Sequence, residues 1–212
     1  MRFLRHWLGP RLEPDLASRA EAWRQLPQEN LRAVLETASL VAVDVETSGL
    51  DVWRDRLISV GAVEIIRCRL YLGRTFHGVL RQERVSSREN VLLHGIGHAK
   101  QQQGESPGQL LMTFLEYVGR RPLVAFHAPF DREFLRRACW NDLGVAFDNP
   151  FLDLASLLPA LFPPASLRPR SLDDWSEDFR VDIPNRHSAD ADALAAAELF
   201  LVALATARRK GL

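Results

Sequence analysis

Apolar positions along the chain follow a helical period first, then a strand period, then an alternation of the two. "PDLASRAEAWRQL" places Leu16, Ala20 and Trp23 on one helical face, and Pro14 with Asp15 marks its start. Pro27 breaks that pattern, and "QENLRAVLETA" resumes it with Leu31, Val34 and Leu35. These two segments predict a helical extension over residues 1–38, serving as a cap on the core or a docking surface for a partner. At Leu40 the texture changes. "LVAVDVE" is an apolar run broken only by acids, the pattern of a central strand covered on both faces. "RLISVGAVEIIRCRL" and "RTFHGVLRQ" predict two further strands, and the short linkers make the three a meander.

Beyond the meander, helices and strands alternate. "SPGQLLMTFLEYVG" predicts a helix with Ser106 as N-cap and Pro107 at its first position. "RPLVAF" predicts a buried strand, "DREFLRRACW" a helix, and "PFLDLASLLPALFP" a short strand running into a helix. "SLDDWSEDF" predicts a short helix with Ser171 and Asp174 spaced as a capping box. "RHSADADALAAAELFL" opens the last long helix. The sum is an α/β fold: a mixed sheet with an antiparallel three-stranded meander, flanked by helices. The main domain is expected over residues 39–208, with a short tail at 209–212.

Composition changes this picture little. The 212 residues suffice for one domain with a proper core, and 25% charged residues with formal net charge +0 give no global field toward nucleic acid or membranes. Two cysteines, Cys68 and Cys139, make neither a disulfide framework nor a metal cluster. The start "MRFLRHWLGP" is too short and too charged for a signal-peptide core, and no apolar run reaches membrane-spanning length. A cytoplasmic, reduced setting without membrane contact is expected.

The candidate chemistry lies in the acids. Asp44 and Glu46 are two apart on a strand, so they share a face while Val43 and Val45 point to the other. Two buried anions need either arginine partners or a divalent cation, and the nearest arginines in sequence, Arg54 and Arg56, lie beyond a turn. Asp131 follows a buried strand and reads, by itself, as a helix N-cap. Ser188 can cap the last helix, and Asp190 suits its first turn. Asp192 and the preceding His187 are less well explained by capping. Four acids from three distant elements, with one histidine, fit the holding of two divalent metals about 3.5–4 Å apart.

These residues resemble the DEDDh-type 3′–5′ exonucleases, which share a ribonuclease-H-like fold and include the proofreading epsilon subunit of bacterial DNA polymerase III. The likeness runs from Ser39 to Arg208. It rests on "DVETSGL" from Asp44, "FDREFL" with Asp131, "HSADADA" with His187 and Asp192, and the "HGI" step at His94. One departure is "FHAPFD", where His127 stands in the place of the family's asparagine. The resemblance implies two Mg²⁺ or Mn²⁺ ions held by Asp44, Glu46, Asp131 and Asp192, with His187 as general base. It also implies that Thr47, Gly49, Leu50, His94, Phe130 and His127 shape the pocket for a strand end. Arg132, Arg136 and Arg137 are expected mainly as a solvated helix face, with phosphate contacts as the alternative. Asp51, Asp55, Asp153, Asp173 and Asp174 are expected not to bind metal. The implied substrate is the 3′ end of DNA, single-stranded or frayed. The rivals are short RNA or tRNA ends and an inactive scaffold, and a polymerase or other replication or repair protein is the implied partner.

Overall fold

The structure, a computed structural model, describes residues 10–28, 38–163, 168–183 and 186–212. A five-stranded sheet runs in the order β3-β2-β1-β4-β5, with β1 at Ser39–Thr47, β2 at Leu57–Ile66, β3 at Arg69–Val79, β4 at Leu123–Ala125 and β5 at Phe151–Asp153. β1, β2 and β3 pair antiparallel, while β4 lies parallel to β1 and β5 parallel to β4. This is the expected mixed sheet with its meander.

The hairpin between β2 and β3 falls inside the run expected to be one strand through Leu70. Arg67 and Cys68 both take positive φ, 50° and 59°, and make a tight two-residue turn. Neither is a glycine or asparagine, so the turn carries none of the usual residues.

The two faces of the sheet bury two apolar clusters. On one side Val41, Val43 and Val45 meet α1 (Pro14–Arg24), α4 (Pro107–Val118) and α5 (Ala128–Leu143). On the other Leu40 and Ala42 meet α6 (Leu154–Leu161), α7 (Leu172–Phe179) and α8 (Ala189–Arg209). Two short helices, α2 (Arg88–His94) and α3 (His98–Gln103), follow β3 and were not expected from the pattern. They are one to two turns long and largely polar, too short for a helical period to show.

In α1, Leu16, Ala20 and Trp23 sink into the first cluster. The Trp23 indole N–H donates to the Gly119 carbonyl at 3.2 Å, and the Arg120 guanidinium lies 4.4 Å over its ring. The second N-terminal helix, expected over residues 28–38, lies outside the described residues apart from its ends. In α7 the capping box forms as expected: Ser171 Oγ accepts from the Asp174 N–H, and Asp174 Oδ2 accepts from the Ser171 N–H. Ser106 holds the N-cap position of α4 without a side-chain bond, and Pro107 follows at the first helical position.

Candidate active site

Along β1, alternation continues the row of Leu40 and Ala42 into Asp44 and Glu46, so both carboxylates face the α8 side of the sheet. Gly61 of β2 is paired with Asp44. A Cβ built on Gly61 would lie 2.1 Å from the Ala189 carbonyl carbon and 2.3 Å from the Asp190 nitrogen. The first turn of α8 therefore rests directly on the strand, and only glycine permits that approach. From there Asp192 enters beside the β1 acids. One ligand oxygen each from Asp44, Glu46 and Asp192 lies within 4.8 Å of the others.

Asp131 arrives from the opposite layer and does not cap its helix. α5 begins at Ala128, with His127 in the N-cap position at a left-handed φ of 63° and Pro129 in the first turn. Asp131 thus sits past the cap, in the first turn, 3% exposed, and its Oδ1 accepts from the Val45 N–H at 3.1 Å. That bond pins α5 to β1 and sets the carboxylate in the field of Asp44. Ser188 does occupy the N-cap position of α8, but its hydroxyl donates to Asp190 at 2.5 Å and makes no side-chain cap.

The acids raise one another's proton affinity. Burial pushes the Asp44 carboxyl well above its ordinary value, and the charges of Asp131, Asp192 and Glu46 push further. Glu46 is pushed up to about 7, first by burial and then by Asp192. Burial also raises Asp131 well above its usual value, against the pull of the Val45 N–H. Asp192 is raised by burial, and Arg186 opposes that rise. Asp192 Oδ1 is buried with no hydrogen-bond partner among the described residues. Clustered anions with an orphaned buried oxygen suit a hard, oxygen-seeking divalent cation.

A cavity of about 270 Å³ is lined by Asp44, Glu46, His127, Arg186, His187 and Asp192 among others. His187 precedes α8 at a positive φ of 61°. A wider cavity of about 680 Å³ shares His127 and Ser171 with the first, and Arg168 and Pro159 line it.

The loop after β1 carries Thr47, Gly49 and Leu50. Thr47 Oγ1 donates to the Gly49 carbonyl at 2.8 Å, and Asp55 locks the loop by accepting from the Ser48 hydroxyl and the Asp51 N–H, both at 2.9 Å. A Cβ on Gly49 would collide with that Asp55 carboxylate at 2.3 Å. Leu50 stands 86% exposed on this locked loop. Phe130 packs on Phe134, ring centroids 4.8 Å apart. His94, at the end of α2, is buried; its Nδ1 accepts from the Ile96 N–H at 3.0 Å and its Nε2 has no partner among the described residues.

The other acids have structural partners. Asp153 caps α6 through the Ala155 N–H at 3.2 Å and also accepts from the Ala128 N–H at 3.1 Å. Asp51 accepts from the Trp53 N–H at 2.9 Å. Asp173 pairs with Arg186. Among the α5 arginines, Arg132 is exposed and Arg136 is exposed and paired with Glu133. Arg137 corrects the expectation of a solvated face: it is half-buried, lies 5.7 Å over the Phe134 ring and donates to the Asp55 carbonyl.

Two contributors escaped the sequence pattern. The cation beside the acids is Arg186, not Arg54 or Arg56. Its only sequence signal is its place next to His187. Gly61 is the other, and an isolated glycine within a strand pattern is the signal for close backbone approach.

Among the described residues, no helix is long and apolar enough to cross a membrane. A family model described as an exonuclease, of the RNase T type, matches residues 41–200. The chain is 33% identical over 181 residues to a DNA polymerase III subunit epsilon-like protein of Rhodobacter capsulatus, covering 84% of this chain and 25% of that one. It is 30% identical to a PolC-type DNA polymerase III of Thermotoga petrophila over 166 residues, 78% of this chain and 12% of that one. It thus spans a quarter or less of the length of these two relatives. Against the DNA polymerase III epsilon subunit of Aquifex aeolicus the identity is 28%, covering 81% of this chain and 83% of that one. In fold it is similar to E. coli exonuclease I, solved with a dT13 oligonucleotide, with TM-score 0.71 and 17% identity over 82% of this chain and 42% of that one. The family match begins within β1 and ends within α8, and so takes in every element that supplies one of the four acids: the chain belongs to the RNase T-type exonuclease family.

Proposed function

We propose that this protein is a metal-dependent 3′–5′ exonuclease that releases nucleoside 5′-monophosphates from single-stranded or frayed DNA ends. The observation that carries this reading is the convergence of Asp44, Glu46 and Asp192, whose ligand oxygens lie within 4.8 Å of one another around a cavity that His187 also lines.

Asp44, Glu46 and Asp192 would hold one Mg²⁺ or Mn²⁺ ion, and Asp44 with Asp131 would help to hold a second. Such ions, when bound, supply an acidified water and neutralise charge on the phosphate and the leaving 3′ oxygen. His187, just before α8 and lining the same cavity as the acids, takes the proton of the attacking water. The loop of Thr47, Gly49 and Leu50 meets the terminal nucleotide. The exposed Leu50 side chain is available to wedge against the last base, and the locked backbone holds it there. Phe130 and His127 flank the strand end, whereas His94, with its Nε2 buried, is closed off from a substrate contact in this structure. The names of the relatives make a DNA polymerase III the partner to test.

The test uses purified protein and matched single-stranded DNA and RNA carrying a 5′ label. With Mg²⁺ or Mn²⁺ the DNA is expected to shorten stepwise from its 3′ end to mononucleotides. EDTA and Asp44→Asn should each abolish this. Preference for RNA dimers would replace DNA by short RNA as the substrate. No cleavage of either with metal present would overturn the reading.

A further inference from the structure

The two oxygens of Asp192 stand in different circumstances. Oδ2 accepts from Arg186, while Oδ1 is buried without a partner among the described residues. Arg186 is itself held from behind: its Nε and second terminal nitrogen donate to the two oxygens of Asp173, the latter at 3.2 Å. The guanidinium fork thus lies between two carboxylates, one exposed on α7 and one buried on α8. Asp173 sits in the first turn of α7, next to the capping box that fixes that helix end. A planar fork with fixed donors holds a carboxylate in one rotation, which a flexible ammonium does not.

We propose that Arg186, oriented by Asp173, is a positioning residue for Asp192: it occupies Oδ2 and leaves Oδ1 as the single oxygen presented to the cation. This rests on the metal reading given above. Ligand orientation by an outer carboxylate or donor is worth about 10–100-fold in metal affinity where it has been removed. The positive charge of Arg186 acts the other way, because it repels a divalent ion nearby. The two effects predict opposite signs, so the sign of the change identifies which one dominates.

The experiment is a Mn²⁺ titration of the full chain without nucleic acid, read by electron paramagnetic resonance, with circular dichroism to confirm folding. Wild type is expected to bind Mn²⁺. Arg186→Met should weaken binding about 10-fold or more. Arg186→Lys should recover only part of the loss, because it restores the charge without the fork. Asp173→Asn, at an exposed position that does not endanger the fold, should give a smaller loss. Equal or tighter binding in Arg186→Met, with wild type binding normally, would overturn the positioning role. Unchanged affinity in Asp173→Asn would remove Asp173 from it. Absence of Mn²⁺ binding by wild type would instead refute the metal site itself.

Discussion

Replacing Glu46 with glutamine keeps the side chain's shape and removes one charge from a crowded cluster of anions. In the folded, metal-free protein the Glu46 carboxyl is pushed from 4.5 up to about 7. A folded-state value above the unfolded one means that stability is complete below pH 4.5 and falls as pH rises through 7. At about 1.4 kcal/mol per pH unit the full displacement is about 3 kcal/mol, and solvent screening at this half-buried position leaves about 2–3 kcal/mol. Glu46→Gln should therefore stabilise the metal-free protein by that amount at pH 8 and by little near pH 4. For a domain of this size the gain amounts to a rise in Tm of roughly 5–10 °C. The assay is thermal and urea unfolding in EDTA at both pH values. In saturating Mn²⁺ the order should reverse, because wild type gains binding energy that the variant has lost. A variant equal to or weaker than wild type at pH 8 in EDTA would refute the electrostatic account of this site.

His187→Ala should lower the exonuclease rate at pH 7 by about 100-fold or more, and the deficit should shrink as pH rises and hydroxide needs less help; a pH–rate profile on single-stranded DNA checks this, and an unchanged rate at pH 7 removes His187 as the base. Trp23→Ala, which empties a fully buried site and loses the bond to the Gly119 carbonyl, should destabilise the fold by about 3–5 kcal/mol in urea titration while a cleavage assay on the folded fraction stays near wild type.

Much of this arrangement was legible in the chain because the relevant signals are local. The alternation in "LVAVDVE" fixes Asp44 and Glu46 on one face, and the spacing of His187 and Asp192 fixes them near one helix end. Taken by itself Asp131 reads as a cap because the pattern starts α5 at the first charged residue, whereas Pro129 allows the helix to begin three residues earlier. The β2–β3 turn was invisible because Arg67 and Cys68 adopt the left-handed conformation without a turn-forming residue. The partnership of Asp173, Arg186 and Asp192 joins three residues whose order in sequence says nothing of their contact. It exists only once α7 and α8 have packed side by side.

The bare position at Gly61 makes main chain, not side chains, the ruler that sets how far the third acid stands from the first two. Apolar neighbours can then be exchanged over evolutionary time without altering that gap. A single added methyl at position 61 would lift a whole helix, and with it would widen the seat of the reaction.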